Sequence, residues 1–96
     1  MEEQIYYSNL YDYYKNLFTA KQQEYFENYF FDNLSLSEIG ENYDVSRNAI
    51  SKQIKEIKKN LDEYEEKLNL YKNSLEIKKI IKDIDEKTRK KIEELI

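Results

Sequence analysis

The chain has 96 residues, 40% hydrophobic and 38% charged, with a formal net charge of -4 at pH 7; that is one domain's worth of chain with a modest core, and too apolar for a disordered tail. Cysteine and histidine are both absent, which excludes disulfides, thiolate metal sites and histidine-based acid–base catalysis, so neither metal nor cofactor is expected. No run approaches the ~20 apolar residues that span a bilayer, and the acidic start "MEEQIYY" lacks a signal-peptide layout, so a cytoplasmic location without membrane insertion is expected.

With no proline and a single glycine, Gly40, helices can run long and turns must come from Asn, Asp and Ser. A first helix is predicted from about Gln4 to Leu17. Its apolar stripe is Tyr6, Leu10, Tyr13, Tyr14 and Leu17, with Tyr7 and Tyr11 to the side. Thr19 and Gln22 have capping-box spacing and open a second helix, whose apolar face is Tyr25, Phe26, Tyr29 and Phe30. Asp32 and Asn33 end it. Ser35 and Glu38 form a second capping box, opening a short helix from Leu36 to Tyr43 with Leu36, Ile39 and Tyr43 on one side. Asp44 and Val45 make a turn, and Ser46 is an N-cap for the next helix.

From there Ile50, Ile54, Ile57, Leu61, Tyr64, Leu68, Tyr71 and Leu75 recur with alternating gaps of four and three, which is a heptad seam. Such a seam is too long for three short helices to absorb, so a two-fold homodimer is expected. The break is expected at Lys72 to Ser74. A last amphipathic helix would then use Ile77, Ile80, Ile81, Ile84, Ile92 and Leu95. The fold class is therefore all-α, with four or five helices in a single domain over residues 1–96. A helix-turn-helix core occupies 1–61 and a heptad-patterned extension, a long helix or helix pair, occupies 62–96.

The centre of the chain meets the demands of a helix-turn-helix. Gly40 lies where the first helix must approach the second closely, and Asp44 tolerates left-handed geometry in the turn. Val45 is placed to plug the angle between the helices, and Ala49, Ile50 and Ile54 to be buried. Residues 46–60 carry Arg47, Lys52, Lys55, Lys58 and Lys59 against Glu56, whereas residues 1–45 carry two lysines against nine acids. Local sign matters more than net charge for a groove-binding surface. Arg47, Asn48 and Ser51 are the candidates for reading base edges, and Lys52, Lys55 and Lys59 for gripping phosphates. The competing reading is a lysine-rich face that is merely solvated.

The stretch "LFTAKQQEYFENYFFDNLSLSEIGENYDVSRNAI" resembles region four of bacterial sigma factors. From Leu10 to Lys72 the chain resembles the YlxM-type proteins of low-GC Gram-positive bacteria and mollicutes, most specifically in "YDYYKNLFT", "VSRNAI" and "YEEKLNLYK". The resemblance implies a small all-α cytoplasmic protein with a sigma-like helix-turn-helix. It also implies a gene beside those of the signal recognition particle, and a role in assisting or regulating that pathway through its protein or its RNA. In the sigma pattern an apolar residue often stands where this chain has Gln53, and here Ile54 takes its place. The residues leave three functions open: a DNA-binding regulator, an adaptor for the particle's protein or RNA using the ten tyrosines, Tyr7 and Tyr11 among them, and an enzyme. The paired carboxylates an enzyme would need lie among lysines as salt-bridge partners, so no catalytic residues are expected.

Overall fold

Helices begin in this chain where a side chain can take up the first orphan amides. A computed structural model describes residues 2–96; Met1, the first residue of the expected domain, lies outside the described residues. Six α-helices follow in order, with no strand among the described residues. They are α1 (Glu2–Tyr14), α2 (Ala20–Phe30), α3 (Leu36–Tyr43), α4 (Arg47–Leu68), α5 (Leu70–Ile80) and α6 (Glu86–Glu93). Thr19 and Gln22 cap α2 reciprocally at 3.2 and 2.9 Å. Ser35 and Glu38 do the same for α3 at 3.0 and 3.1 Å. Ser46 Oγ accepts the Ala49 N–H at 3.0 Å at the head of α4.

The core lies where α1, α2 and α3 pack on the first half of α4. Ile50, Ile54, Ile57 and Leu61 are buried against Leu10, Tyr14, Phe26, Phe30 and Ile39. The three short helices thus absorb the first half of the heptad seam. Beyond it Tyr64 is half-buried against Tyr14 and Phe18, and Leu68 is exposed.

Several boundaries and faces differ from expectation. The first α-helix ends at Tyr14, and Lys15–Leu17 form a 3-10 turn that leaves Leu17 exposed. The tighter turn delivers Phe18 into the core in extended conformation, just before the Thr19 cap. Tyr11, placed to the side, is 2% exposed. It stacks on Phe26 at 4.1 Å between ring centroids and donates to Glu27 at 2.6 Å. The reason is that α1 is covered on two sides, by α4 and by α2, so its buried arc is wider than one stripe; Tyr6, at the edge of that arc, stays exposed. Ala49 is exposed, because α3 packs on the side of Ile50, about 100° further round. Val45 is also substantially exposed and plugs the inter-helix angle only in part.

The seam breaks at Asn69, in left-handed conformation (φ 54°, ψ 28°), and Lys72 to Ser74 lie inside α5. Asn69 makes no side-chain cap for α5. The carboxylate of Glu65, one turn back in α4, does so instead: it accepts from the Tyr71 and Lys72 amides at 3.1 and 3.0 Å, and from the Tyr14 hydroxyl at 2.6 Å. The Tyr14 oxygen in turn accepts the Leu70 N–H at 3.1 Å. Burial and the neighbouring carboxylate push the Tyr14 hydroxyl up to about 12. The tail is a helix pair, since Asp85 caps a separate α6 by accepting the Thr88 N–H at 2.9 Å.

Candidate nucleic-acid interface

The helix-turn-helix is α3, the turn Asp44–Ser46 and the first half of α4. Asp44 is left-handed (φ 56°, ψ 44°), and the Val45 N–H returns to the Gly40 carbonyl at 2.9 Å. A Cβ built on Gly40 would stand 2.7 Å from the Val45 carbonyl oxygen and 3.4 Å from the Arg47 nitrogen. Glycine is therefore required by the turn's own backbone, and it lets α4 start directly under α3. Contacts with α2 hold α3 in place. Tyr43 packs edge-on to Tyr25 at 5.0 Å, accepts from Asn28 at 3.3 Å, and has the Lys21 ammonium 5.0 Å above its ring. The Ser35 amide and hydroxyl hold the Glu38 carboxyl below its usual range, so the α3 cap is charged at neutral pH.

On α4, Arg47, Asn48, Lys52, Lys55 and Lys59 are exposed and Ser51 is half-exposed. The helical rotation of about 100° per residue gathers Asn48, Lys52, Lys55 and Lys59 on the side opposite Ile54 and Ile57. Arg47 and Ser51 lie toward one flank of that face. None of these four cations is in a salt bridge among the described residues. Lys58 is different. Its ammonium pairs with Glu3 at 2.9 Å and lies 5.4 Å over Tyr7 and 5.7 Å over Phe30. It clamps α1 and α2 to α4 and holds the Glu3 carboxyl below its ordinary range. The outward face thus presents Lys52, Lys55 and Lys59, with Arg47 on its flank and Glu56 exposed one turn from Lys52 and from Lys59. Arg47 to Lys59 covers roughly 18 Å of helix at 1.5 Å per residue, about one reading face.

Two further residues are exposed on the other flank of that face, away from Arg47 and Ser51. Gln53, read from the sequence as a departure from an apolar position, is exposed beside Ala49. A glutamine amide can pair with adenine and a small apolar side chain can meet a thymine methyl. The rotation alone could not decide this, because Gln53 stands about 40° and Ala49 about 80° from the buried Ile57, at the border of the apolar stripe. The tyrosines named for a protein interface are mostly committed to the fold. Tyr11 is in the core, and Tyr7 is half-buried, donating to Asp62 at 2.8 Å with its hydroxyl pushed up to about 12 by burial and that carboxylate. Tyr13 donates to the buried Ser74 at 2.7 Å, and Tyr71 accepts from Asn9 at 3.2 Å.

Comparison with known proteins agrees with this geometry. Residues 1–96 match the model of a family described as "Putative helix-turn-helix protein, YlxM / p13 like". Among individual relatives, the YlxM protein of Bacillus subtilis (strain 168) is 43% identical over 77 residues, covering 80% of this chain and 70% of that protein. A relative from Bacillus pumilus (strain SAFR-032) is 44% identical with the same coverage of both chains. One from Listeria welshimeri serovar 6b is 39% identical over 82 residues, 85% of this chain and 74% of its own.

Proposed function

Because the chain belongs to the YlxM/p13-like helix-turn-helix family, we propose that it is a regulatory protein that acts by binding, setting the first half of α4 against a nucleic-acid duplex. The observation that carries this reading is the exposed side of α4, where four cations are in no salt bridge among the described residues while Lys58 is held against α1 by Glu3. A purely structural charge run would spend its lysines on neighbouring carboxylates. The major groove of B-form DNA, ~12 Å wide, admits an α-helix, whereas that of A-form RNA is too narrow. Duplex DNA is therefore the first reading, with Arg47, Asn48 and Ser51 toward base edges and Lys52, Lys55 and Lys59 on phosphates. A second reading, action on the RNA of the signal recognition particle in protein targeting, draws support from the lysines. A lysine grips phosphate as a point charge and reads bases poorly, so backbone and shape would dominate recognition.

Fluorescence anisotropy with duplex DNA and with that RNA, titrated with salt, tests both. Four phosphate contacts predict a log–log slope of about -3.6 on duplex DNA. Lys52→Glu and Lys55→Glu should each flatten it by about one or more. The same dependence on RNA alone assigns the second reading. No binding to either at low salt removes both.

A further inference from the structure

We propose that the α5–α6 hairpin is the surface on which two copies of this chain associate. The tail α6 turns back on α5, so that Leu95 and Ile96 return to Leu70, Ser74 and Ile77 beside Tyr13 around an apolar cleft of about 260 Å³. Within this arm Ile81 is the one large apolar side chain that is buried. Ile80 is 76% exposed and Leu95 85%, and Leu70 and Ile84 are also open to solvent. Together these aliphatic groups amount to roughly 400–500 Å² of apolar surface, the size of the largest patch on an ordinary monomer. With a polar rim in the usual proportion, that is close to the roughly 800 Å² each partner brings to a stable interface.

The charge pattern selects a second copy as the occupant. In a two-fold contact a patch meets itself, so a surface of one sign repels its own image. The acidic half over residues 1–45 and the cationic face of α4 both fail that requirement. The arm meets it. Three of the four salt bridges among the described residues lie there, Glu76 with Lys79, Glu86 with Lys90 and Arg89 with Glu93. With eight basic and six acidic residues over 70–96, the arm mixes both signs beside its exposed aliphatic groups and is not a surface of one sign. Asn73 sits at the edge of the cleft, and a carboxamide, being both donor and acceptor, is its own hydrogen-bonding complement. The contact leaves α4 unobstructed, because the arm joins it at the far end, beyond Leu68. It is independent of what α4 binds.

The test is solution mass by sedimentation equilibrium over a wide range of concentration. The wild type should approach twice 11.8 kDa, and the double variant Ile80→Glu, Leu95→Glu should run at 11.8 kDa with an unchanged helical circular dichroism spectrum. Should that variant not fold, Leu95→Ser alone should shift the monomer–dimer midpoint to higher concentration. A wild type that stays monomeric throughout, whatever other protein it binds, overturns the proposal. So does a folded double variant that remains dimeric, since the contact would then lie elsewhere. Neither result bears on nucleic-acid binding, which the anisotropy measurements read separately.

Discussion

At the scale of single residues, Gly40 shows how magnitudes decide the sign of a substitution. In an open helix interior, alanine in place of glycine gains up to about 1 kcal/mol from backbone entropy. At Gly40 the new Cβ would meet the Val45 carbonyl oxygen at 2.7 Å, a backbone atom that cannot swing aside. Relief requires opening the turn, and overpacking of this kind costs roughly 1–3 kcal/mol. Gly40→Ala should therefore be a net destabilisation of about 1–2 kcal/mol, measured by urea unfolding. It should also weaken nucleic-acid binding at temperatures where the variant is fully folded, because the α3–α4 angle changes. A variant as stable as the wild type would mean the turn carries no such constraint. This residue was legible in the sequence, as were both capping boxes and the left-handed Asp44, because each works through neighbours within a few positions of the chain.

At the scale of elements, the elbow between α4 and α5 was not legible, and the reason is physical. The heptad pattern runs through Leu68, Tyr71 and Leu75 without interruption, and although Asn69 is of a type that takes left-handed helix ends, no cap spacing beside it sets it apart from Asn60 or Asn73. What stops the helix is Glu65, capping α5 from within α4, and Tyr14, which arrives from 51 residues away in sequence. A cap assembled from tertiary contacts leaves no spacing signature. The same cause hid Tyr11: its burial follows from α2 covering a second side of α1, which periodicity within α1 cannot report. Glu65→Gln tests the elbow. The amide retains one acceptor oxygen, but its nitrogen would face a backbone N–H, leaving a buried donor unmatched. Hydrogen bonds to charged groups contribute about 1.5–3 kcal/mol, so a loss of about 2–3 kcal/mol is expected, lowering Tm by about 4–8 °C per kcal/mol in a domain this size. Hydrogen exchange should show α5 and α6 losing protection while the amides of α2 and α3 keep theirs. Glu66→Gln, one position on and exposed, should shift stability by less than about 0.5 kcal/mol.

At the scale of the whole molecule, a body of 52 × 25 × 24 Å keeps charges of opposite sign apart. The acids of residues 1–45 lie on α1 to α3 and the loops joining them, the exposed cations of residues 46–60 lie along the outer side of α4, and the arm mixes both signs, with three ion pairs among its charges. The net charge of -4 therefore says little about what α4 meets. With a Debye length of about 8 Å at physiological ionic strength, carboxylates on the far side of the body are largely screened from anything lying on α4. Glu56 is not, for it stands exposed one turn from Lys52 and from Lys59. Glu56→Lys changes the net charge by two at the face itself, and Glu24→Lys makes the same change on an exposed position of α2. If α4 meets phosphates, Glu56→Lys should tighten duplex binding by roughly eightfold at about 0.1 M salt. It should also steepen the log–log slope from about -3.6 to about -4.5, one further phosphate neutralised, while Glu24→Lys leaves the slope unchanged. Equal effects from both substitutions would mean that binding follows net charge alone and that the groove face of α4 is not the site.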